Sequence, residues 1–103
     1  MTVLTFPLTN EAAKKHVRNA AENGTVRYLN YDDQPFINMI TRRQVDICLE
    51  QGEVCGNASL NSNGHTECTL ERFGAGVWVY VDVVVYTEND EVIVLVKDVR
   101  VIQ

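Results

Sequence analysis

The chain has 103 residues, 46% of them hydrophobic and 22% charged, which predicts one globular domain with a modest core. Its formal net charge of −5 disfavours nucleic-acid binding, which depends on cations matched to phosphates, and favours a protein partner or a small ligand. No run is long and apolar enough for a membrane span, and MTVLTFPLTNEA has neither the basic nor the apolar part of a signal peptide, so a cytoplasmic protein with no membrane partner is expected.

Thr9 is placed as the N-cap of a first helix, NEAAKKHVRNAAENG. Ala13, Val17, Ala20 and Ala21 recur there at helical spacing, and Gly24 closes the helix as the C′ residue. Glu11 and Lys15 stand in the favourable i,i+4 order. A stripe this rich in alanine predicts close packing against a neighbour. TVRYL, residues 25–29, reads as a short strand, and a polar loop broken by Pro35 runs from Asn30 to Met39. Thr41-Arg42-Arg43-Gln44 then fits a capping box, with Ile40 and Val45 as a hydrophobic staple. The second helix presents Val45, Cys48 and Leu49 and ends at Gly52. Arg42 and Arg43 oppose the macrodipole, at about 0.3–1 kcal/mol each. Either Asp32 and Asp33 in the preceding loop offset that cost, or the pair binds an anion or an acidic partner.

The pattern then switches to period two. EVCGNASL and TECTLER read as strands joined by the turn Asn61-Ser62-Asn63-Gly64, with Cys68 and Leu70 on one face. FGAG turns the chain into VWVYVDVVVYT, and ENDE turns it again into EVIVLVKDVRVI. Val77, Val79, Val81, Val83 and Val85 share one face of the long strand; Trp78, Tyr80, Val84 and Tyr86 share the other. Strands apolar on both faces belong in mid-sheet or beneath a partner. The order α-β-α-β-β-β-β predicts an α+β domain, with two helices on one face of a largely antiparallel four- to five-stranded sheet. The aromatic face, with Trp78, is left as a candidate groove or interface.

Cys48, Cys55, His65 and Cys68 fit small buried hydrophobes and an exposed turn histidine better than a zinc set, since no CxxC pair is present. No disulfide framework, metal or cofactor is expected. Gly74-Ala75-Gly76 is a hairpin turn and not a phosphate loop, because no helix follows it. His16 is read as a boundary residue of the first helix. Tyr80 and Lys97 fall on neighbouring strands, where a tyrosine and a lysine on one face can move a proton or steady a phosphorane-like transition state.

ITRRQVDICLEQGEV, GHTECTLERFGAGVWVYVDVVVY and EVIVLV together resemble a family of small bacterial proteins catalogued as a domain of unknown function, number forty-two fifty-eight. More loosely, the element order is similar to the motility quorum-sensing regulator toxins, RelE-like mRNA interferases that need no metal. That resemblance implies a RelE-like fold and puts Tyr80 and Lys97 on a tyrosine and a lysine implicated in RNA cleavage, while the toxins' glutamine and other lysine have no clear counterpart; in a toxin of this kind Arg42, Arg43 and Arg72 would bind phosphate. The chain departs from the first family in the loop before ITRRQV, which usually reads H-A-x-x-R-M-x-x-R-G-I-T. Asn30, Gln34 and Asn38 stand here for its histidine and two arginines. Amides hydrogen-bond but do not shuttle protons or pair phosphates as cations. Thr66 also stands where that family has a tryptophan.

Two functions follow as expectations. One is a toxin-like scaffold with lost or weakened ribonuclease activity that binds a protein partner, as an antitoxin-like inhibitor or a phage-borne anti-defence protein such as an anti-CRISPR. The alternative is an active mRNA-cleaving toxin, with RNA as substrate. A homodimer joined through the aromatic face or an edge strand is a further expectation.

Overall fold

A computed structural model of the chain describes residues 9–28, 42–74 and 76–102. The polar loop with Asn30, Gln34 and Asn38, the Thr41 cap and Ala75 lie outside the described residues. The elements run α1 (Asn10–Asn23), β1 (Val26–Tyr28), α2 (Arg42–Gln51), β2 (Glu53–Leu60), β3 (Thr66–Gly74), β4 (Val77–Glu88) and β5 (Glu91–Ile102). The domain is α+β. Its five strands form one mixed sheet in the order β1-β5-β4-β3-β2. The last four are the expected antiparallel meander, and β1 adds a parallel edge beside β5.

Local chemistry sets the element ends. The Thr9 hydroxyl accepts the Ala12 amide at 3.1 Å, and Gly24 closes α1 at φ 77°. The β4–β5 hairpin turns on Asn89 and Asp90, at φ 51° and 65°, which matches the two-residue type I′ loop that twisted strands prefer. In the β2–β3 turn the Asn61 carboxamide accepts the amides of Asn63 and His65, both at 2.9 Å.

Both helices pack on the same face of the sheet. Ala13, Val17 and Ala20 of α1 and Val45, Cys48 and Leu49 of α2 close over Leu70, Val81, Val83, Val85, Val94 and Val96. The alanines of α1 let it lie close enough for Arg18 Nε to donate to the Glu50 carbonyl of α2 at 3.1 Å. Tyr28 donates its hydroxyl to Asp46 at 2.7 Å and so ties β1 to α2. The ion pair of α1 differs from expectation. Lys14 bonds Glu53 of β2 at 2.7 Å, whereas Glu11 and Lys15 form no ion pair with each other; an exposed i,i+4 pair gains little over solvation.

β5 carries an irregularity that strict alternation does not produce. Its register with β4 runs Val81↔Val99 and Asp82↔Asp98, then jumps to Val83↔Val96, so Lys97 is an extra residue. Without it, Val94 and Val96 would share a face with Asp98 and Arg100. With it, Val94, Val96, Val99 and Val101 all turn towards the helices, and Asp98 and Arg100 turn away.

Gly52 ends α2 for a reason other than a left-handed cap. It is not among the positive-φ glycines. A Cβ there would stand 2.4 Å from the Cys48 carbonyl oxygen and 2.9 Å from that of Glu71. Both atoms are backbone, so neither can swing aside. Gly64, at φ 78°, has open space around a would-be Cβ. Gly52→Ala is therefore expected to cost about 2–3 kcal/mol through overpacking, and Gly64→Ala about 1 kcal/mol through backbone strain, in urea unfolding. Equal losses would contradict this account of Gly52.

Candidate binding face

The face turned away from the helices is ordered in rows across β3, β4 and β5. Phe73, Trp78 and Ile102 form one row, then Glu71, Tyr80 and Arg100, then Thr69, Asp82 and Asp98. Phe73 and Trp78 meet edge to face with centroids 5.3 Å apart, and Trp78 stacks towards Tyr80 at 6.4 Å. The Arg100 guanidinium lies 5.5 Å from the Tyr80 centroid and donates to Asp82 at 2.8 Å. Thr69 donates its hydroxyl to the same Asp82 oxygen at 2.5 Å. One carboxylate thus holds groups from both neighbouring strands.

Among the described residues every cation on this face has a carboxylate. Arg100 has Asp82, Lys97 reaches Glu67 at 3.5 Å across β4, and Arg27 bonds Glu88. That last pair holds Arg27 above its ordinary pKa, chiefly through the hydrogen bond from its guanidinium. Glu71 and Asp98 on the same face have no ion-pair partner among the described residues. A shallow depression of about 400 Å³, lined by Cys55, Glu67, Thr69, Asp82, Lys97 and Asp98, takes in the third row.

The expected site residues do not all converge. Tyr80 and Lys97 lie on adjacent strands, but Tyr80 stands opposite Arg100, and Lys97 sits on the bulge and turns to Glu67. Arg42 and Arg43 open α2, with Arg43 exposed. Arg72 stands at the other end of that helix, where it donates to Gln51 at 3.4 Å. Ten residues of helix separate those ends by about 14 Å. Arg72 also faces the helices, whereas Tyr80, Lys97 and Trp78 face away. Arg100, Asp82, Phe73 and Ile102 were missed. The readable signal was the phase change in VIVLVKDVRV, where apolar residues step from 92, 94 and 96 to 99 and 101.

Comparison with known families, with curated proteins and with solved structures finds no match.

Among the described residues no group of three or more His, Cys, Asp or Glu is placed to hold a metal, and no helix is long and apolar enough to cross a membrane. Cys48 and Cys68 are buried as expected. Cys55 is not: β2 is an edge strand, and this side chain points to the open face, where its thiol donates to Glu71. His65 is half-buried and stacked on Tyr86 with centroids 5.0 Å apart, in place of the exposed histidine expected. His16 is half-buried on α1, and its pKa is lowered by burial and by Lys15.

Burial pushes the Cys48 thiol up to about 12 and the Cys68 thiol to about 11, from 9.0. Their folded values lie above the unfolded one, so their contribution to stability is complete below about pH 9 and is lost as pH rises towards 11–12. At about pH 8.5 an aromatic disulfide reagent is expected to titrate one thiol, Cys55, in the native chain and all three after urea unfolding. Rapid reaction of a second native thiol would contradict the packing described.

Proposed function

We propose that the chain is a non-catalytic binding module on a RelE-like, toxin-type scaffold, and that it acts by engaging a protein partner through the helix-free face of its sheet. One observation carries this reading: among the described residues, every cation on that face is paired with a carboxylate. Among those residues a phosphate backbone would find no unpaired cation there and would meet Glu71 and Asp98 instead. Metal-independent RNA cleavage by a tyrosine and a lysine needs both at one scissile phosphate. The bulge turns Lys97 to Glu67 and brings Arg100 to Tyr80, and Arg100 is bound to Asp82. The amides at Asn30, Gln34 and Asn38 point the same way, because they replace the ionisable groups of the family that the chain resembles. Antitoxin-like inhibition, or inhibition of a host defence protein, is the role that such a neutralised scaffold fits.

The test is cleavage of a mixed mRNA pool by purified chain at micromolar concentration. Intact RNA is expected, with Tyr80→Phe and Lys97→Ala indistinguishable from the parent. Cleavage that both substitutions reduce by a hundredfold or more would overturn the reading, since general acid–base groups contribute about that much.

A further inference from the structure

Four large apolar side chains are exposed among the described residues: Leu60, Phe73, Trp78 and Ile102, at 50%, 55%, 41% and 54%. Leu60 stands apart, opposite Thr66 at the far end of the sheet. The other three are adjacent, one from each of three neighbouring strands. They make one continuous apolar row in water, of the kind that forms the centre of protein interfaces, where tryptophan is the most common anchor. The next row holds Glu71, which accepts the Cys55 thiol, and the row after it Asp98, which has no partner among the described residues. The cation that shares the row of Glu71, Arg100, is committed to Asp82 and to the face of Tyr80.

We propose that this strip docks a basic segment of another protein, with an apolar side chain seated on Phe73, Trp78 and Ile102 and lysine or arginine side chains reaching Glu71 and Asp98. Charge selects that occupant. A second copy of the chain would bring the same carboxylates against each other on a molecule of net charge −5. RNA would set phosphates against them. The proposal rests on the non-catalytic reading and deepens it by naming the partner's chemistry.

The test titrates uniformly ¹⁵N-labelled full chain with three probes. One is a short synthetic peptide alternating lysine and leucine around a central tryptophan. The second is its glutamate counterpart, and the third a single-stranded oligoribonucleotide. The lysine peptide is expected to shift the amides of Phe73, Trp78 and Ile102 in a saturable way, and the other two to leave them in place. Trp78→Ala should weaken binding more than tenfold, as an interface anchor does. The double variant Glu71→Gln, Asp98→Asn should weaken it about fivefold and flatten its salt dependence. Leu60→Ala should change nothing. Trp78 also packs on its neighbours, so Ile102→Lys at the strand end is the second variant, expected to abolish binding while the rest of the spectrum stays native. Absence of binding, shifts mapping elsewhere, or an equal response to the glutamate peptide would overturn the proposal. Concentration-dependent shifts of the strip without peptide would assign it to a second copy, and RNA-induced shifts to nucleic acid; either overturns it. RNA cut in the same samples would remove the non-catalytic reading, whereas intact RNA with no peptide binding would remove only the basic partner.

Discussion

The extra residue at Lys97 is the constraint on which both faces of this domain depend. β5 is long, lies between two neighbours, and must serve a core on one side throughout its length. Its sequence places valines at 94 and 96 and again at 99 and 101, out of phase by one. In a regular strand either register would turn two of those valines away from the core and would bury charge as well, Asp98 and Arg100 in one and Lys97 in the other, and an unpaired buried charge costs several kcal/mol. The bulge removes the conflict. All four valines meet the helices, and the charged residues meet Asp82, Tyr80 and solvent.

The same bulge decides what chemistry the open face can perform. It sets Arg100 across from Tyr80 and sends Lys97 over β4 to Glu67. The face carries matched ion pairs next to an aromatic row. Individually these exposed pairs add little to stability, about 0–1 kcal/mol each. Their consequence is electrostatic: they pair the described cations of this face with carboxylates and leave Glu71 and Asp98 without an ion-pair partner among the described residues.

Much of this was legible in the sequence where a local rule acted alone. Thr9 and Gly24 bound α1 through capping chemistry, Asn89-Asp90 fits a two-residue turn, and the valine alternation in β4 marks the buried face. What escaped notice depended on pairing between distant segments. β1 is three residues long, and nothing in VRY states that it lies parallel to β5. Gly52 resembles any helix-ending glycine until the Glu71 carbonyl is seen beside it. Tyr80 and Lys97 share the open face on adjacent strands, as expected, but alternation alone does not reveal that the bulge sets Arg100, and not Lys97, opposite Tyr80. Cys55 was expected to be buried, as most free cysteines are, but edge position overrides residue type.

The central claim concerns which cation stands over Tyr80, and nuclear Overhauser contacts measure it directly. In the ¹³C,¹⁵N-labelled chain the Tyr80 ring protons should show contacts to the Arg100 side chain and none to the Lys97 ε-protons, with Asp82 and Asp98 α-protons paired across the strands. A strong Tyr80–Lys97 contact, with the Arg100 contact absent, would mean an unbulged β5 and would contradict the arrangement described.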